Sequence, residues 1–92
     1  MGGETAVHPA QKRETLRQLE TYAYQIAYYL LRDEDKAVAA VTSALIDVYL
    51  DDAFFRRSPA DMRRSLKRTV LKHSLRALHR EAQRGRAPQP SS

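Results

Sequence analysis

The sequence predicts an all-α protein: a compact domain of three helices, or of four if one helix is broken. Apolar residues recur at steps of three and four along three segments, which places them on one face of each helix. No segment alternates apolar and polar residues as a half-buried strand does. An Asp-Glu-Asp run and a Ser-Pro pair mark two helix starts, and 92 residues suffice for one such domain.

The first helix is expected from about Ala10 to Leu31, after a flexible N-terminal segment, residues 1–9. Four tyrosines crowd this helix, and two pairs share a side: Tyr22 with Tyr29, and Tyr24 with Tyr28. They either cap the edge of the core with their hydroxyls in water or form a partner surface. The apolar face that predicts the helix consists of Leu16, Leu19, Ala23, Ile26, Ala27 and Leu30.

The second helix is expected to begin at Asp33, a residue type that caps helix N-termini. Glu34 and Asp35 follow in the first turn, where acidic side chains favour the positive end of the helix dipole. Phe54 and Phe55 end the segment, and one of them is expected to anchor the following turn. The predicted buried stripe is Ala37, Val41, Ala44, Leu45, Val48 and then Phe55.

The third helix has the clearest start, with Ser58 as N-cap, Pro59 as first helical residue and Asp61 three residues after the cap. Gly85 is its expected end. The domain therefore spans residues 10–85, and residues 86–92, with two prolines, are expected to be a disordered tail. Its predicted buried stripe is Met62, Leu66, Val70, His73 and Ala77, widened by Leu71, Leu75 and Leu78.

Charge divides the chain into two unlike parts. The total is +5, but residues 1–55 carry −4 and residues 56–92 carry +9. A basic helix face of this kind is typical of proteins that contact nucleic-acid phosphates, although a solvated face or an acidic protein partner would also suit it. The residues expected to contact DNA are Arg63, Arg64, Lys67, Arg68, Lys72 and Arg76.

Catalysis and membrane insertion find little support in the residues present. The chain has no cysteine, and its three glycines lie at positions 2, 3 and 85, so a glycine-rich phosphate loop is excluded. His73 is expected to pack against the core, and Asp47 and Asp51 to be solvated rather than metal ligands. The longest apolar run, residues 26–31, is far too short to cross a membrane. We expect a cytoplasmic protein that is not an enzyme and that uses no cofactor or metal.

The order of features resembles that of a known family. The resemblance is to region 2 of bacterial sigma-70-type transcription initiation factors, especially the extracytoplasmic-function group, and covers residues 22–81. Leu66 and the Leu75-Arg76 pair are similar to positions in that family's last helix. The opening motif that carries the resemblance is Tyr24-x-x-Ala27-x-x-Leu30-Leu31, followed by Asp33-Glu34-Asp35-x-Ala37.

This resemblance implies a stand-alone sigma-region-2-like module whose third helix meets promoter DNA and whose second helix meets the clamp helices of RNA polymerase. The family's polymerase-binding Asp and Gln are Ala39 and Thr42 here, which keeps an alternative open. In the alternative, the domain is a protein-interaction module that binds an anti-sigma-type partner or a second copy of itself. The residues expected to contact polymerase or a partner are Asp35, Lys36, Ala39, Thr42, Ser43 and Asp47.

Overall fold

The predicted compact all-α domain is confirmed by the computed structural model, which describes residues 8–85. In chain order it consists of α1 (Pro9–Leu31), α2 (Glu34–Tyr49), a short 3-10 helix (Asp52–Arg56) and α3 (Pro59–Gly85). The three long helices all pack against one another. The expected flexible segment and disordered tail lie outside the described residues, apart from His8, which caps α1, and Pro9, its first residue.

Local capping signals set the helix boundaries. The Oδ1 atom of Asp33 accepts a hydrogen bond from the backbone N–H of Lys36 at 2.9 Å, which satisfies one of the free donors at the start of α2. Ser58 does the same for α3, its Oγ accepting from the N–H of Asp61 at 3.2 Å. Arg32 ends α1 in the left-handed conformation, with φ at 52°. Because only Arg32 and Asp33 separate them, α1 and α2 form an antiparallel hairpin.

Small residues dominate the interface between α1 and α2. Side chains of this size allow two helix backbones to approach closely, with larger residues from α3 completing the core. Leu66 and Val70 of α3 are fully buried, as expected from the sequence. The expectation that Leu75 and Leu78 widen this stripe was wrong: both are exposed, because the buried face of α3 passes through Ser74 and leaves them at its edge. The fully buried residues also include Ser74, which was not predicted, and its hydroxyl has no hydrogen-bond partner within residues 8–85. The buried alanines are Ala23, Ala27, Ala37, Ala40 and Ala44.

The prediction that Phe55 continues the buried stripe was wrong, because Phe54 takes that place. Phe54 is fully buried, while Phe55 is half-buried and meets its ring edge-on, with 5.0 Å between the centroids. The reason is local. Asp51 caps the 3-10 helix by accepting from the N–H of Ala53 at 3.1 Å, so the chain leaves the α-helical period before the phenylalanines.

Lys12 joins the start of α1 to the end of α2. Its Nζ atom lies 2.5 Å from Oδ1 of Asp52 and donates to the backbone oxygen of Tyr49 at 3.1 Å. The same ammonium group is 4.8 Å from the centroid of the Tyr49 ring and 5.4 Å from that of Phe55. Hydrogen bonding from Lys12 lowers the pKa of Asp52. These contacts hold the end of α2 and the 3-10 helix against the start of α1.

Candidate interaction surfaces on helices α2 and α3

Helix α3 presents cations on several sides rather than along one ridge. Lys67 lies on the flank toward α1, where it borders a groove with Tyr22 and Tyr29. Lys72 lies on the opposite flank, 3.7 Å from Asp47 of α2. The residues expected to contact DNA are all exposed: Arg63, Arg64, Lys67, Arg68, Lys72 and Arg76.

Few of these cations are neutralised by the protein itself. Arg64 pairs with Asp61 at 3.3 Å, and both side chains are more than half exposed, so this ion pair contributes little stability. Lys72 pairs with Asp47, as described above. Among residues 8–85, the other expected DNA contacts form no ion pair: Arg63, Lys67, Arg68 and Arg76. Their charge is therefore available to an anionic partner.

One basic residue at this surface was missed by the sequence analysis. Arg57 precedes α3, yet it lines a shallow pocket of about 260 Å³ together with Asp61, Arg64 and Arg68. Its Nη1 atom donates to Oγ of Ser65 at 2.8 Å, which orients the guanidinium group. The positions 57, 61, 64 and 68 follow helical spacing, but Arg57 lies outside α3, which begins at Pro59, so the pattern of the helix alone does not include it. Three guanidinium groups against the single carboxylate of Asp61 leave the pocket with net positive charge, which suits phosphate oxygens.

The residues expected on the partner face of α2 divide between two grooves. Lys36, Ala39 and Ser43 border the groove between α2 and α3. Thr42 borders the groove between α1 and α2, beside Tyr24. Asp35 is exposed in the first turn of α2.

Two members of this set are held by α3. Lys36 Nζ lies 2.5 Å from Oε1 of Glu81, and its hydrogen bond lowers the pKa of that carboxyl. Asp47 Oδ2 accepts a hydrogen bond from Nε2 of His73 at 2.7 Å. This hydrogen bond is the main cause of the lowered pKa of Asp47. Lys36 and Asp47 thus join α2 to α3 through Glu81 and His73.

The groups that could have formed a metal or acid–base site have structural partners. His73 is half-buried on the α3 face toward α2, as expected for a packed residue, but it also bonds to Asp47, which was expected to be solvated. Asp51 caps the 3-10 helix. Within residues 8–85, no group of three or more histidine and acidic side chains is arranged to hold a metal ion. No helix in the same range is long and apolar enough to cross a membrane.

Both tyrosine pairs expected from the spacing lie at the edge of the core. Tyr24 and Tyr28 stack with 5.8 Å between ring centroids, and desolvation is the main cause of the raised pKa of Tyr24. Tyr22 and Tyr29 border the groove between α1 and α3. Tyr29 is 72% exposed, so this ring contributes little to the core.

No known protein family, curated protein or solved structure matches this chain.

Proposed function

We propose that the protein is a sigma-region-2-like transcription module, in which α3 binds the phosphate backbone of promoter DNA and α2 binds RNA polymerase. The observation that carries the proposal is the exposed basic surface of α3, where four of the six expected DNA contacts form no ion pair within residues 8–85. Phosphate contacts of this kind set the affinity and the position of a protein on DNA rather than its sequence preference.

The Arg57 pocket adds support to the proposal. Its guanidinium groups lie near the N-terminal end of α3, where the positive end of the helix dipole also favours an anion. Arg63 and Lys67 are exposed within the first three turns of the same helix. A DNA strand that follows this end of α3 would therefore meet several cations in succession.

DNA binding is tested by measuring the affinity for a fluorescent promoter-length duplex. The double variant Lys67→Glu/Arg68→Glu should weaken binding at least about tenfold and flatten its dependence on salt. The matched control, Arg13→Glu/Arg17→Glu, makes the same change in net charge at two exposed positions of α1. Equal losses of DNA affinity in both variants would show that only the net charge of the protein matters. An unchanged affinity in the α3 variant would contradict a DNA role.

The polymerase contact would use the side of α2 that borders the groove between α1 and α2. Val38, Thr42 and Ile46 are spaced by four residues, which places them on one line along the helix. None of these three side chains is charged. Val38 and Ile46 are each 54% exposed, so this line is open to a partner. Substitution of Thr42 by Arg should abolish binding to purified core RNA polymerase while leaving the helical content unchanged.

The same exposed line favours the second candidate function, a protein-interaction module. Leu50, 75% exposed, extends the uncharged surface to the end of α2. If the protein does not bind core polymerase but forms a dimer that Ile46→Glu dissociates, this candidate replaces the first. Sedimentation velocity over a range of protein concentrations measures that dimer directly.

A further inference from the structure

A groove of about 440 Å³ runs between α1 and α3 and shares no lining residue with the groove that Val38 and Thr42 border. Its walls are mainly apolar and aromatic: Tyr22, Ile26 and Tyr29 come from α1, and Leu71 comes from α3. All but Tyr29 are half-buried, so they form the floor, while the exposed Tyr29 ring forms part of the rim. A groove with these walls can receive a row of apolar side chains from another molecule.

Positive charge flanks this groove on both helices. Lys67 of α3 is among its lining residues, and no carboxylate is among them. On the α1 side, the guanidinium carbon of Arg32 lies 5.7 Å from the centroid of the Tyr29 ring, and its Nε donates to the Tyr29 backbone oxygen at 3.1 Å. An occupant with negative charge at its edges therefore complements the groove.

The apolar surface continues along α3 beyond the groove. Leu75 and Leu78 are 55% and 38% exposed, and with Leu71 they follow at steps of four and three residues. This alternation is the spacing at which one helix packs along another. Arg68 precedes Leu71 by three residues and Leu75 by seven, so helical spacing places this cation on the side of the same row.

We propose that this groove binds an amphipathic helix of an acidic partner protein. The partner's apolar side chains lie on Ile26, Leu71 and Leu75, and its carboxylates face Lys67 and Arg32. A second copy of this chain is a poorer occupant, because its own α3 would bring like charges together along the row. The inference depends on the groove and its charged edges, independently of whether α3 binds DNA.

The experiment selects binders from a displayed library of amphipathic helices. Each helix carries leucine, isoleucine or phenylalanine on one face, with Glu, Gln or Lys varied at the flanking positions. The enriched helices should be acidic at the flanks and should bind the full chain in solution. For a synthetic peptide of the most enriched sequence, Lys67→Glu should weaken binding about tenfold, and added salt should weaken binding to the unmodified protein.

Two further variants separate a groove effect from a general one. Gln25→Glu changes an exposed lining residue and adds one negative charge. It should therefore also weaken binding of the peptide without unfolding the domain. Arg17→Glu, an exposed change of the same size as Lys67→Glu but outside the groove, should leave the affinity unchanged. Circular dichroism establishes that each variant remains folded.

Several results would overturn the proposal. Enrichment of neutral or basic helices, or no enrichment at all, would contradict the acidic partner. A dimer of the protein that Leu71→Glu dissociates would assign the groove to a second copy. A single-stranded oligonucleotide whose affinity falls with Leu71→Ser would assign it to stacked bases.

Discussion

Removal of a single cation from α3 gives a sharp test of the DNA-binding surface. Arg68 is exposed, forms no ion pair within residues 8–85 and lines the pocket that also contains Arg57 and Arg64. Binding to duplex DNA releases about 0.9 counterion for each phosphate that the protein neutralises. Contact of all four unpaired cations with phosphates would make affinity fall roughly 150-fold between 50 and 200 mM salt. With three, the predicted fall is only roughly 40-fold.

The assay is fluorescence anisotropy with a labelled duplex at four or more salt concentrations. Arg68→Gln should lower the slope of log affinity against log salt by about 0.9, and affinity at low salt should fall several-fold. Arg17→Gln removes one positive charge from an exposed position on α1 and should leave the slope as it is. The same slope for Arg68→Gln and the unmodified protein would refute the assignment of this residue to a phosphate contact.

Two other predictions concern stability. Phe54→Ala should cost about 3–5 kcal/mol of unfolding free energy and Phe55→Ala clearly less, as measured by urea denaturation, because only Phe54 is fully buried. A larger loss at Phe55 would contradict the assignment of the core residue. The hydrogen bond from His73 holds the pKa of Asp47 below its ordinary value, so its stabilising effect is present above about pH 4 and is lost as pH falls through the lowered pKa. The urea midpoints of the unmodified protein and Asp47→Asn should therefore differ more at pH 5 than at pH 2.5; an equal difference would contradict this linkage.

Features that adjacent residues determine can be predicted from the sequence, whereas contacts between distant segments of the chain cannot. The side chain of Ser58 caps the helix that follows it, so the start of α3 can be predicted from a few adjacent residues. Phe54 was missed because helical periodicity fails where the chain changes to a 3-10 helix. The Asp47–His73 bond joins residues 26 positions apart, which no local pattern reports. Arg57 was missed for a related reason, since it joins the basic surface from outside the helix.

The distribution of apolar side chains by size explains why this small domain has two open surfaces. Alanines such as Ala27 and Ala44 fill the α1–α2 interface, so the helices approach closely but bury little area per residue. Larger side chains lie outside: Ile46 on the line along α2, and Tyr29 and Leu75 on the side shared by α1 and α3. Exposed apolar groups of this size contribute little to folding and are typical of binding surfaces. The two surfaces are lined by different residues, so variants such as Ile46→Glu and Leu71→Glu test them separately.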